Sequence, residues 1–283
     1  MEFLLCVSCI LGAMGICVLR VDPFIHYHKP LTNAYFYPLD NQRSQNDGIL
    51  KHFEYNALIT GTSMTENFKT SELDELFGVN SIKIPYSGAS YKEINDSLIR
   101  ALESNPNLNM IVRGLDTNGF MRDKDWMSYD LKDYPSYLYD DNYFNDVKYI
   151  FNRNVFFDRV WPMMIETYQE GFAPGITSFD VYSNWMATCT FGRDIVFEKN
   201  FNGSGFSFQG AGSPVHITEA EKTMVVENVR QNISSLTDAY PDVTFYYFFT
   251  PYSILWWQRR VEGGDIYRQI EAEQLVIEEI LKC

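Results

Sequence analysis

A serine directly after a short apolar run occupies a position suited to nucleophilic chemistry. Residues 57–60 are apolar enough to predict a buried strand, and Gly61, Thr62 and Ser63 follow it. A serine between a strand and a helix presents its hydroxyl to a substrate, while N–H groups at the helix start face developing negative charge. Acyl transfer through a serine nucleophile needs this arrangement. Ser63 is therefore the candidate nucleophile.

Two further candidates follow the next two predicted strands. Gly88 lies in the segment YSGAS after a strand at 82–85, and Asn118 lies in RGLDTN after a strand at 110–112. A glycine N–H and an asparagine amide can both donate to an oxyanion. Taken alone, Gly88 is more typical of a turn and Asn118 of a loop cap. Their places after successive strands favour a shared site.

These strands alternate with helices, which predicts an α/β fold with a parallel sheet. A fourth strand is predicted at 243–249. Sites in such sheets lie outside the carboxyl ends of the strands. The loops expected to carry chemistry are therefore 61–67, 85–90, 113–120 and 250–255.

Capping patterns predict where several helices begin. Ser71 with Asp74, Ser90 with Glu93, and Thr218 with Glu221 are spaced as N-terminal capping pairs. Residues 120–215 interrupt the β–α alternation with aromatic loops and two predicted helices, near 143–153 and 155–170. We interpret this segment as an insertion. Residues 20–50 are predicted to form an extended connector.

The N-terminal segment predicts a membrane anchor over residues 1–19. Residues 3–19 carry no charge, close to the lower limit of about 17–25 residues for a spanning helix. A cleaved signal peptide or a buried core helix are the alternatives. Arg20 follows the segment and no basic residue precedes it, so charge does not support an outside location for the domain.

Composition excludes some classes of partner and cofactor. The net charge of −14 argues against nucleic acid, which requires a basic footprint. The cysteines show no spacing typical of a metal site. His26 and His28 lack an accompanying carboxylate pair, so packing is favoured over metal binding. No cofactor and no metal site are predicted.

The three blocks together resemble the SGNH/GDSL hydrolase superfamily. GTS is similar to its serine block, YSGAS to its glycine block and RGLDTN to its asparagine block. The segments VDPFIHYHKP and TGTSMTENF resemble the membrane-anchored bacterial subset, which includes D-alanyl teichoic acid transfer and alginate acetylation proteins. The resemblance implies a three-layer flavodoxin-like sheet over 56–283. It also implies Ser63 as nucleophile and Gly88 and Asn118 as oxyanion donors.

The chain departs from the family pattern at three places. Thr62 replaces the aspartate of GDS, and Asp116 occupies the usual asparagine position. A carboxylate at 116 would repel an oxyanion unless it were protonated. The family's C-terminal Asp-x-x-His is absent, which leads us to expect a chain truncated at its C-terminus and inactive in this form.

The resemblance implies a serine esterase or O-acyltransferase that acts on a cell-envelope glycan. It also implies an extracytoplasmic domain on a single membrane span, and a polytopic membrane acyltransferase as partner. The alternative is a non-catalytic accessory protein that binds glycan through aromatic side chains of the insertion. Those side chains are Trp126, Tyr137, Tyr139, Tyr143 and Trp185.

Overall fold

Four strands of the chain pair in one parallel sheet in a computed structural model. The structure describes residues 1–117, 119–129, 134–190, 192, 194–195, 208 and 210–282. The strands of the described chain are β1 Phe36–Tyr37, β2 Ala57–Gly61, β3 Ser81–Pro85, β4 Met110–Leu115, β5 Gly175–Ile176 and β6 Thr244–Phe249. The order in the main sheet is β3-β2-β4-β6, and β1 pairs with β5 separately. The α/β prediction is confirmed at this level.

Helices connect the strands. Those of the first half of the chain are α1 Glu2–Val21, α2 Gln42–His52, α3 Thr70–Phe77 and α4 Tyr91–Ser104. Those that follow in the described chain are α5 Val147–Ile150, α6 Arg153–Val155, α7 Trp161–Glu166, α8 Glu219–Val229, α9 Ser235–Ala239, α10 Ile254–Gly263 and α11 Ile266–Ile280. The π-helical segments Phe156–Val160 and Arg230–Ser234 join α6 to α7 and α8 to α9. Short 3-10 turns lie at Ser63–Thr65, Ser136–Leu138 and Trp185–Thr188.

The sheet buries side chains on both faces. Leu58 of β2 packs in one cluster with Ile94 and Leu98 of α4. Its neighbour Ile59 points to the opposite face and packs with Leu73 of α3. This alternation follows from the two-residue period of a strand. Helices therefore cover β2 from both sides.

Helix α2 forms where an extended connector was predicted. Its buried side chains are largely polar, and their hydrogen bonds are tertiary. Gln45 Nε2 donates to Pro23 O at 3.1 Å and Asn46 Nδ2 donates to Pro85 O at 2.8 Å. Asp47 accepts from Arg100 Nε at 2.7 Å. A helix buried through polar groups shows no apolar periodicity, so the sequence pattern did not reveal it.

The predicted caps were partly wrong. Thr218 and Glu221 form the complete capping box. Ser90 accepts from Glu93 N at 3.1 Å, but the Glu93 carboxylate pairs with Arg43. Ser71 and Asp74 do not cap α3. Asp180 accepts from Ser71 N at 3.0 Å and from Ser71 Oγ at 2.6 Å instead. A residue 109 positions away thus displaced the local partner.

Helix α1 is long and apolar enough to cross a membrane, with a mean hydropathy of 2.3. It ends at Asp22, whose carboxylate binds the turn that follows. Asp22 accepts from His26 N at 3.0 Å, Tyr27 N at 2.7 Å and His28 N at 3.2 Å. It also accepts from Tyr149 Oη at 2.7 Å. The helix is therefore joined to the domain through a buried carboxylate.

Candidate functional site

A ligand-binding or catalytic site in this sheet is expected between the carboxyl ends of β2 and β4. From β2 the chain crosses to β3 on one side and then to β4 on the other. Ligands in parallel sheets bind in the crevice where the strand order reverses in this way. Thr62 follows β2 and Asp116 follows β4. These two residues therefore flank the reversal point.

Asp116 joins three loops at this edge. Its Oδ2 accepts from Thr62 Oγ1 at 2.9 Å, and its Oδ1 accepts from Tyr252 Oη at 2.7 Å. Its backbone oxygen accepts from Tyr91 Oη at 2.9 Å. Both carboxylate oxygens of Asp116 therefore accept a hydroxyl hydrogen bond. Asp116 thus holds the loops that follow β2 and β6. Thr62, which precedes Ser63 in the chain, is the residue of the serine loop that Asp116 contacts.

Ser63 begins the 3-10 turn Ser63–Thr65 and its side chain is half-buried. The turn is closed by Thr65, whose N and Oγ1 both donate to Thr62 O, at 3.0 and 2.8 Å. From the insertion, Trp185 Nε1 donates to Ser63 O at 3.2 Å and Met186 N donates to Asn67 Oδ1 at 3.0 Å. The insertion therefore packs a turn directly against the serine loop.

Thr65 also explains the glycines at the ends of β2 and β4. A Cβ on Gly61 would lie 2.6 Å from Thr65 Cγ2, and one on Gly114 would lie 2.5 Å from the same atom. Both distances are shorter than real Cβ contacts allow. The serine loop thus packs directly against the backbone of Gly61 and of Gly114, where a larger residue would not fit. Sequence reasoning missed Gly114 and Thr65, because their contact joins separate strands.

Gly88 lies at the same edge, after β3, which pairs with β2. It is exposed and has a φ of 65°, a conformation that favours glycine. Its backbone oxygen accepts a hydrogen bond from Ser128 Oγ. Gln42 Oε1 accepts from Ser87 N at 2.5 Å, and Arg43 Nη2 donates to Ser87 O at 2.9 Å. The glycine loop is therefore held by α2.

Asn118 lies outside the described residues. Its neighbour Thr117 is buried, and its backbone oxygen accepts from Gln269 Nε2 at 3.4 Å. The structure thus brings the loops of Ser63, Gly88 and Asp116 to one edge of the sheet. The catalytic roles assigned to these residues and to Asn118 stay predictions.

A buried lysine supports the far end of the serine loop. Lys83 of β3 donates to Glu66 O at 2.5 Å and to Phe68 O at 3.0 Å. Burial lowers the pKa of Lys83 to about 8. Burial also raises the pKa of Glu66, whose carboxylate accepts from Gln42 Nε2 at 2.6 Å. The sequence offered one indication of this contact, because a lysine within the buried strand sequence SIKIP needs hydrogen-bond partners.

The four histidines have partners away from Ser63. His216 Nδ1 lies 2.6 Å from Glu271 Oε1, and His26 Nε2 lies 3.4 Å from Asp146 Oδ1. His28 contacts Leu19 O at 3.1 Å and His52 contacts His26 O at 3.3 Å. Among the described residues, no histidine hydrogen-bonds to Ser63. The same part of the chain holds no cluster of His, Cys, Asp and Glu suited to a metal ion.

Comparison with family models, with curated proteins and with solved structures finds no match to this chain.

Proposed function

We propose that the chain is an SGNH/GDSL-like serine esterase or O-acyltransferase of the cell envelope, with Ser63 as its nucleophile. The observation that carries the proposal is the position of Ser63 after β2, beside the reversal point of the sheet. The Thr62–Asp116–Tyr252 hydrogen bonds and the glycine contacts of Thr65 hold this loop in one conformation. Such preorganisation is what a nucleophile requires.

The chemistry would proceed through an acyl-serine. Ser63 Oγ attacks the carbonyl carbon of an ester, the ester C–O bond breaks, and the alcohol leaves with a proton. Water or a glycan hydroxyl then takes the acyl group from Ser63. Gly88 N–H and the Asn118 amide are the proposed donors to the oxyanion. The substrate would be an acylated cell-envelope glycan, and a polytopic membrane acyltransferase could supply acyl groups.

Both steps need a base near Ser63, because a serine hydroxyl is a weak nucleophile at neutral pH. No histidine of the described residues is placed to serve it. Loss of a triad member typically leaves a rate several orders of magnitude below that of an intact enzyme. We therefore expect little Ser63-dependent hydrolysis by the 283-residue chain alone.

Chemical rescue with imidazole tests the nucleophile without requiring a histidine from the chain. The rate of p-nitrophenyl acetate hydrolysis is measured with and without imidazole, for the wild type, Ser63→Ala and Ser87→Ala. Ser87 is the matched control because it is an exposed serine of the adjacent loop. Imidazole should accelerate the wild type and Ser87→Ala over Ser63→Ala by on the order of tenfold or more. Equal rates for wild type and Ser63→Ala in the presence of imidazole, after the rate of imidazole alone is subtracted, would refute the proposal.

A second candidate function, glycan binding without catalysis, is favoured by a cavity of about 570 Å³ between α2 and the insertion. Tyr129, Tyr134 and Tyr137 line it together with asparagine amides. Arg43 and Arg159 also line it, and each is paired with a carboxylate, Glu93 and Asp40. Asp158 adds a carboxylate to the lining. Tyrosine faces, amides, paired arginines and one carboxylate acceptor suit the hydroxyl groups of a neutral sugar. Tyr139, in contrast, donates to Arg43 O at 2.5 Å and is no platform.

Titration calorimetry with neutral envelope-glycan fragments distinguishes this second candidate. Tyr129, which is half-exposed and stacks over Arg43 at 3.9 Å, is the side chain to remove. Tyr129→Ala should weaken binding about tenfold, while Ser63→Ala leaves it unchanged. The same affinity in wild type and Tyr129→Ala would exclude the cavity as a sugar site.

A further inference from the structure

Helix α1 does not stand clear of the domain along its whole length. Gly15, Val18 and Val21 are buried, and α1 contacts α5 and the π-helical segment of the insertion. The position of a Cβ on Gly15 lies 3.2 Å from Ile150 Cγ2 and 3.4 Å from Phe151 Cε1. The last third of α1 is therefore packed against α5 and the π-helical segment Phe156–Val160.

The length of α1 makes this contact informative. Its 20 residues extend about 30 Å, the thickness of a bilayer's hydrocarbon core. Gly15 precedes Val21 by six residues, which is about 9 Å along the helix axis. If α1 spans the bilayer with its full length, the side chains that touch Gly15 lie below the membrane surface. The domain must then dip into the bilayer with them.

The surface beside the contact with α1 exposes apolar and aromatic side chains, as a surface within the bilayer interface would. Phe157, Trp161 and Ile165 are spaced four residues apart along the helical segment 153–166 and are 51%, 49% and 44% exposed. Val147 at the start of α5 and Phe151 directly after its end repeat the spacing, at 53% and 49%. We call these five exposed apolar side chains the stripe, and exposed apolar surface of this kind in water marks an interaction surface. Aromatic side chains are enriched where a protein meets the headgroup region.

Charge in the same segment is compatible with a bilayer surface. Residues 147–166 carry three cationic and two anionic side chains, while the whole chain has a net charge of −14. The cations are Lys148, Arg153 and Arg159, and Arg20 lies at the end of α1. Arg159 pairs with Asp40, so the attraction to lipid would come from Lys148, Arg153 and Arg20. Anionic lipids would attract this part of the molecule and repel most of the remainder.

We propose that the stripe of Val147, Phe151, Phe157, Trp161 and Ile165 inserts into the bilayer interface beside α1. The domain would thus be held by one spanning helix and one interfacial segment, which fixes its orientation on the membrane. The occupant of the stripe is lipid, because the stripe continues the surface of the one described helix able to span a membrane. The proposal does not depend on the catalytic role of Ser63.

Trp161 provides the test, because it is half-exposed in the centre of the stripe. The full chain is reconstituted into nanodiscs with lipids brominated in the upper part of the acyl chains, and tryptophan quenching is measured. Trp161→Phe should lose most of the quenching seen in the wild type. Trp126→Phe is the matched control, since Trp126 is similarly exposed and stacks with Arg122 outside the stripe. Its quenching should equal that of the wild type.

Equal quenching in the wild type and Trp161→Phe would overturn the proposal. A second variant, Ile165→Asp, keeps all tryptophans and places a charge in the stripe. It should reduce quenching while the far-UV circular dichroism is unchanged. If a second copy covered the stripe instead, chemical crosslinking would show dimers in the nanodisc, with Trp161 unquenched. That result would also contradict insertion into lipid.

Discussion

At the scale of single residues, the site depends on contacts that remove freedom from the serine loop. Thr65 lies between the backbones of Gly61 and Gly114, and Thr62 bonds to Asp116. The place of Ser63 could be predicted, because a strand followed by Gly-x-Ser is a local pattern. The role of Asp116 could not, since its hydroxyl partners come from positions 62, 91 and 252.

Gly114→Ala tests the glycine contact. The new Cβ would lie 2.5 Å from Thr65 Cγ2, so we expect the free energy of unfolding to fall, by about 1–3 kcal/mol for an overpacked site. Thr65→Ser removes that methyl group and keeps the hydroxyl bond to Thr62 O. The double variant should recover part of the loss in denaturant titrations. Additive losses from the two changes would show that the steric argument is wrong.

At the scale of elements, the strands were easier to predict than the helices that support them. Apolar runs located β2, β3 and β4 within a few residues, because buried parallel strands are continuously apolar. The edge strand β6 was located by its aromatic run, although its side chains are only partly buried. Helix α2 was missed since its buried face is polar. The helix predicted near 155–170 includes the π-helical segment Phe156–Val160, a change of hydrogen bonding that no side-chain pattern in the sequence indicated.

Lys83 ties β3 to the serine loop, and its pKa gives a prediction of pH dependence. Burial lowers the pKa from its ordinary value of 10.5 to about 8. Between these values the unfolded chain binds more protons than the folded chain, so stability rises with pH. Lys83→Met should lack this rise, which we expect to be about 1–2 kcal/mol between about pH 8 and 10.

The measurement is the free energy of unfolding in urea across this range for both proteins. Tyrosines with raised pKa values, such as Tyr37 at about 12, act in the opposite direction above about pH 10. The comparison therefore stops there. Parallel pH curves for the wild type and Lys83→Met would contradict the assignment.

At the scale of the whole molecule, the junction at Asp22 couples helix α1 to the α/β domain. The carboxylate accepts three backbone N–H groups and the Tyr149 hydroxyl. It holds a turn in which Ile25 has a φ of 60°, an unfavourable conformation for a β-branched residue. The motif VDPFIHYHKP thus shapes the exit from α1. The sequence showed the motif, but its partner Tyr149 lies in the insertion.

Asp22→Asn should weaken this junction and leave the left-handed backbone of residue 22 allowed. We expect a loss of about 2–3 kcal/mol, because the amide NH2 group that replaces one carboxylate oxygen cannot accept the two hydrogen bonds of that oxygen. Hydrogen exchange of the His26, Tyr27 and His28 amides in detergent reports the change. Asp40→Asn is the control, since Asp40 is exposed and pairs with Arg159. Unchanged protection in Asp22→Asn would show that the carboxylate does not hold the turn.

The most direct test of the central claim is the site of covalent modification by a fluorophosphonate probe. The full chain is treated in imidazole buffer and digested, and the modified peptide is identified by mass spectrometry. We predict an adduct on Ser63 in the wild type and in Ser87→Ala, and loss of that adduct in Ser63→Ala. An unmodified Ser63 under these conditions, or an adduct at another serine that survives Ser63→Ala, would contradict a nucleophilic role for Ser63.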